Sequence, residues 1–86
     1  MGDWEIKCVS RDPAGNALAY RGDDPFRWTV WIHDIIDDIE GRRHTYFVTG
    51  EYGQRVEVVT EISERGKIIR SDPNVGDDLL PQLPPC

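Results

Sequence analysis

His33 and Asp37 are the two residues of this sequence that come nearest to a chemistry, and Asp34, Asp38 and Glu40 stand in the same stretch. Four residues apart on a helix, their side chains share a face. An imidazole nitrogen with a carboxylate oxygen is a donor set for zinc or another divalent metal. Two ligands leave such a site incomplete, and the pair falls beside an apolar stripe, where solvated charge belongs. The expectation is a solvated acidic helix face, with no metal and no cofactor.

Nucleophilic chemistry finds less support. Ser10, Ser63 and Ser71 lie in no Gly-x-Ser-x-Gly turn. Cys8 would meet His33 or His44 only if the fold brought them together, and a strand cysteine pointing inward with Trp4 and Ile6 is too buried to react easily. The glycines are scattered and form no phosphate-cradling loop. An exposed carboxylate pair such as Asp23-Asp24 gains no raised pKa and no acid role. No catalytic constellation emerges, and the reading is that of a protein without enzymatic activity.

The cysteines themselves, Cys8 and Cys86, form neither a four-ligand zinc set nor a disulfide framework. Cys8 is expected to be an inert buried thiol. A bridge between the two would close nearly the whole chain and stabilise it by about 4 kcal/mol on the chain-entropy account. It needs an oxidising compartment that nothing else in the sequence suggests, so no bridge is expected.

The elements that would position these groups follow from periodicity. Trp4, Ile6 and Cys8 alternate with Glu5, Lys7 and Val9 as in a half-buried strand. Residues 11–16 are rich in turn formers, and Ala17 to Tyr20 returns as a second strand. The clearest element is a helix with Thr29 as its N-cap. Ile32, Ile35, Ile36 and Ile39 fall on one stripe, and Gly41 is placed to end the helix in a left-handed conformation. Arg42 and Arg43 suit the negative end of its dipole. Isoleucine is a poor intrinsic helix former, so packing on a sheet must hold it.

Thr45 to Gly50, Arg55 to Ile62 and Lys67 to Ser71 read as strands joined by turns at residues 51–54 and 63–66. Short turns imply antiparallel pairing. The predicted fold is α+β: one antiparallel sheet of four to five strands in the order β-β-α-β-β-β, a single helix packed on one face, and an extended C-terminal tail. In that tail, Leu79, Leu80 and Leu83 are spaced by Pro81, Pro84 and Pro85, which forbid a regular helix and a central strand. The leucines are expected to dock on the domain as a last piece of core.

Composition sets the outer bounds. The 86 residues, 38% apolar and 30% charged, suit one globular domain that buries roughly 60–65% of its surface on folding. Sixteen acids against ten bases leave a net charge of −6, which argues against direct nucleic-acid or anionic-membrane binding. No apolar run approaches the about 20 residues of a membrane span, and the first residues carry no signal-peptide pattern. A cytoplasmic protein is expected.

The succession of an alternating first strand, a Trp before an Ile-rich helix ending at Gly41, Tyr46-Phe47-Val48, Lys67 to Asp72, and Leu79-Leu80 with Leu83-Pro84 and Cys86 resembles the small bacterial family catalogued as domain of unknown function 3892. The resemblance spans nearly the whole chain. It implies a fold and no catalytic residue, since that family has no known activity.

Two functional classes remain. The first is a protein-interaction or accessory module with an unidentified protein partner, using a sheet edge, the tail, or the region of Phe26 and Trp31, since Trp is enriched at contact hot spots. The second is an acidic inhibitor or nucleic-acid mimic, in which Asp23, Asp24, Asp34, Asp37, Asp38 and Glu40 present a negative patch to a basic groove. The Arg-Gly-Asp tripeptide at residues 21–23 reads as an ordinary turn. The Pro-x-x-Pro segment at residues 81–84 lacks the flanking base that an SH3-type groove requires.

Overall fold

A computed structural model describes residues 2–24 and 26–86. The fold is α+β, with one helix and seven strands in two sheets. β1 (Gly2–Glu5), β5 (His44–Thr49), β6 (Arg55–Ser63) and β7 (Gly66–Ser71) form one sheet in the order β1-β5-β6-β7. β2 (Cys8–Arg11), β3 (Ala17–Gly22) and β4 (Trp28–Trp31) form the other in sequence order. The helix α1 (Ile32–Glu40) packs against β3 and β4 on one side and β5, β6 and β7 on the other.

The single antiparallel sheet expected from the sequence is therefore corrected in three respects. The first strand is broken in two, because the chain changes sheets within it. The Ile6 N–H donates to the Phe47 carbonyl at 2.8 Å on one side, and the Lys7 N–H donates to the Arg21 carbonyl at 2.8 Å on the other. The break shifts the alternation by one residue, so Ile6 and Val9 are buried and Cys8 does not follow Ile6 inward. Second, β1 runs parallel to β5, a pairing that requires a long crossover and receives one through the second sheet and the helix. Third, residues 28–31 are a strand. Trp28 and Val30 turn to the core while Thr29 and Trp31 turn away, the period of two that aromatic and β-branched residues favour.

That extra strand also moves the helix start. Thr29 caps nothing; Trp31 occupies the N-cap position in an extended conformation without a side-chain bond. At the other end Gly41 stays right-handed, and Arg42 takes the left-handed conformation with φ 56°. The last carbonyls are satisfied there by the N–H groups of Gly41, Arg42 and Arg43. The isoleucine stripe faces the sheets: Ile35 and Ile36 are buried, and Ile32 and Ile39 pack against the same cluster.

The core fills the space between the two sheets and the helix. Tyr46 and Val48 from β5, Val56 and Val58 from β6, Ile69 from β7, and Tyr20 and Trp28 from β3 and β4 meet Ile6, Val9 and Leu80. Close approach has been made possible at Gly22, where a Cβ would overlap the Trp28 ring and the Glu5 carbonyl oxygen. Gly66 closes the β6–β7 hairpin with φ 107°, a conformation that L side chains rarely adopt.

After β7 the chain runs back over the domain. Asp78 Oδ1 accepts from the Ser71 N–H at 3.0 Å, the Ser71 hydroxyl at 3.3 Å and the Leu80 N–H at 3.1 Å. Ser71 is itself buried, and its Oγ accepts from the Leu79 N–H at 2.8 Å. This node delivers Leu80 into the core at the start of a short 3-10 turn (Leu80–Gln82), with Leu79 and Leu83 packed beside it. The final residues lie parallel to β2: the Val9 N–H donates to the Pro84 carbonyl at 3.1 Å and the Cys86 N–H to the Val9 carbonyl at 3.1 Å. Cys8 and Cys86 are joined by a disulfide. The expectation of an unpaired, buried Cys8 is thus wrong, because the tail returns alongside the strand that carries it.

Candidate functional site

Acidic side chains on α1 divide by what they touch. Asp38 is half-buried: its Oδ2 accepts from the Tyr46 hydroxyl at 2.7 Å, and its Oδ1 accepts from Arg43 Nε at 3.3 Å. It ties the helix to β5 and to the loop after the helix, and it leaves little carboxylate for a partner. Glu40 meets Lys67 Nζ of β7 at 2.8 Å. Asp34 and Asp37 remain exposed, the first with His33 Nε2 3.6 Å away. Asp23 and Asp24 are exposed beyond the end of β3. Among the described residues, no group of three His, Cys, Asp or Glu side chains could hold a metal ion.

Burial, then the bond to Asp38 and its negative charge, hold the Tyr46 phenol neutral far above its ordinary range. Burial also raises Tyr20. On the outer face of β1, β5 and β6, Arg55 forks onto both carboxylate oxygens of Asp3 at 2.6 and 2.7 Å, reaches Glu57, and lies 4.1 Å over the Phe47 ring. The Arg55 hydrogen bonds pull the Asp3 carboxyl below its usual range, with Thr45 adding to the effect. This lattice is exposed and reads as surface decoration of the sheet.

His44, Ser71 and the two cysteines have structural partners. His44 Nδ1 accepts from the Gly2 N–H at 2.9 Å. Ser71 is enclosed by the Asp78 node, where the described residues offer it no imidazole. Cys8 and Cys86 are consumed by their bond.

Phe26 and Trp31 are both exposed, by 60% and 52%, but they do not form one patch. Phe26 precedes β4 and meets the edge of Trp4 with centroids 5.6 Å apart. Trp4 in turn packs on Trp28 at 5.5 Å and on His44 at 5.6 Å. Trp31 closes β4 at its other end, roughly 10 Å along the strand from Trp28. It stands opposite Ala19, on the sheet face turned from the core. The indole N–H groups of Trp4 and Trp28 have no hydrogen-bond acceptor, and both rings instead meet aromatic neighbours edge to face. Trp31 immediately precedes the helix that carries the exposed Asp34 and Asp37, so an exposed aromatic and two exposed carboxylates follow one another there.

Nothing in the residue pattern signals the Asp78–Ser71 node or the pairing of the tail with β2. The polar run at residues 76–78 and the interleaved prolines specify a turn and an extended segment. They do not specify which strand receives either.

No helix among the described residues is long and apolar enough to cross a membrane. No protein-family model, curated protein or solved structure matches the chain.

Proposed function

We propose that this chain is a non-enzymatic contact domain that engages a protein through Trp31, Asp34 and Asp37. The observation that carries the proposal is Trp31: a large aromatic left 52% exposed on a strand whose neighbours Trp28 and Val30 turn inward. A partner suited to it bears an arginine or lysine, which gains from the indole face and from the two carboxylates together. Asp38 is withdrawn from the surface by Tyr46 and Arg43, and Glu40 is paired with Lys67. Interleaved bases of that kind support a local contact over the alternative of a continuous nucleic-acid-like face.

The cytoplasm stays the proposed compartment, as does the kinship with the bacterial family named above. In the cytoplasm a bond between Cys8 and Cys86 would be transient, since disulfides there are usually redox-sensing or catalytic. The deciding experiment uses the intact chain, Trp31→Ala, Asp34→Lys and the control Ile62→Ala as baits in host lysate. A protein retained by the parent and by Ile62→Ala, but lost with Trp31→Ala and Asp34→Lys at unchanged melting temperature, supports the reading. Retention that ignores Trp31 and Asp34, or no retention by the parent, removes it.

A further inference from the structure

The bond between Cys8 and Cys86 lies in a basic groove on an otherwise acidic molecule. Lys7, Arg21, Arg27, Asp23 and Trp28 line the groove together with both cysteines, around a volume of about 370 Å³. Arg21 stands directly opposite Cys8 in the β2–β3 ladder. Lys7 reaches Glu5 at 3.3 Å, whereas Arg21 and Arg27 have no ion pair among the described residues. Asp23 is the acid among the lining residues. With Lys7 set against Glu5, what distinguishes the groove is the two guanidiniums of Arg21 and Arg27, which have no ion pair among the described residues, on a chain whose net charge is −6.

We propose that this disulfide is a site of thiol exchange with small anionic thiols of the glutathione class, with Cys86 as the sulfur attacked. Cys86 is exposed at the end of the tail, whereas Cys8 is half-buried within a strand flanked by β3 and the tail. The incoming thiolate bonds to Cys86 Sγ, the Cys8–Cys86 bond breaks, and its electron pair leaves on Cys8 Sγ as a thiolate. A second thiolate then attacks the mixed disulfide on its small-molecule sulfur. Cys86 leaves as a thiolate, and the two small thiols depart as their own disulfide, having supplied both electrons. The groove favours each stage: its bases gather anionic thiols, and Arg21 steadies the departing Cys8 thiolate, which speeds exchange.

Opening the bond frees only the end of the tail. Leu80 in the core and the Asp78–Ser71 node hold the tail upstream, independently of the sulfurs. Among the described residues, two backbone bonds to Val9 then hold residues 84–86 to β2. The exchange thus changes the β2 edge and leaves the domain folded.

The test compares glutathione with the cationic thiol cysteamine on the oxidised full chain at low ionic strength. Each rate is normalised to the same thiol's rate with a neutral small disulfide. Loss of the protein disulfide is followed by acid quenching, alkylation and mass spectrometry. Glutathione is expected to lead by threefold or more, below the roughly 10–10³-fold gain of strongly charged clefts because few charges line the groove, with the lead shrinking in high salt. Its adduct should map to Cys86, and Arg21→Gln should reduce the lead. Faster exchange by cysteamine, the order that the net charge alone dictates, overturns the proposal. So does an adduct on Cys8, an unreactive disulfide, or a lead indifferent to Arg21→Gln. Far-ultraviolet circular dichroism of the reduced chain must retain the folded spectrum; its loss would show exchange acting through unfolding and would also overturn the proposal.

Discussion

The Tyr46 hydroxyl donates to Asp38 Oδ2 at 2.7 Å, joining the middle of β5 to the last turn of the helix. The bond lets a phenol lie in the core with its polar end satisfied. It also turns one of the helix acids from a surface charge into an internal fastening. Four groups meet there: the phenol, the carboxylate, the Arg43 guanidinium and, through its charge, Asp34.

Because the folded state raises the Tyr46 pKa above its ordinary 10.0, the unfolded chain loses the phenolic proton first. Stability from this group is complete below about pH 10 and is lost progressively as the pH climbs past it. Tyr20 is shifted in the same direction by burial and adds to the loss. Urea midpoints measured between neutral pH and pH 11 should fall at the alkaline end, and Tyr46→Phe should flatten that fall. Parallel curves for parent and variant would mean that the phenol is not the group responsible. At neutral pH, Tyr46→Phe should cost about 1–2 kcal/mol for the lost charge-assisted bond.

Leu80 is 2% exposed although it lies in the proline-spaced segment that follows the last strand. Leu80→Ala should destabilise the domain by about 2–4 kcal/mol and lower Tm by roughly 10 °C or more. Leu83→Ala, at a partly buried position, should cost less. Calorimetry of the two variants gives the comparison, and equal small losses would place the tail outside the cooperative unit.

Asp78 is the acceptor on which the return of the tail turns. Asp78→Ala strands the Ser71 and Leu80 N–H groups and should cost about 1–3 kcal/mol, whereas Asp78→Asn retains an acceptor oxygen and should cost less. Hydrogen exchange should show both N–H groups losing protection in the alanine variant while the Val48 and Val56 amides keep theirs. Unchanged exchange at Ser71 would contradict the role assigned to this carboxylate.

Local pattern carried the elements that close on themselves. The isoleucine stripe at i, i+3, i+4 and i+7 can bury itself only as a helix on a sheet, and the turns at residues 51–54 and 63–66 allow only hairpins. Those segments are β5, α1, β6 and β7, within a residue or two of their expected bounds. Trp28 to Trp31 departs from the expected helix start because Trp-Thr-Val-Trp next to an apolar stripe fits a helix start as readily as an edge strand. Its partner β3 decided the matter.

What the sequence determined by itself was thus the α+β class, the helix face and the two C-terminal hairpins, since each is fixed by neighbours a few residues away. The tertiary structure alone decided the change of sheet at Ile6 and Lys7, the parallel β1–β5 pair, the withdrawal of Asp38 from the surface and the meeting of Cys8 with Cys86. Those relationships join residues far apart in the chain or on separate elements. They depend on loop closure and on which backbone edge stays unpaired, and neither is written in the spacing of residue types.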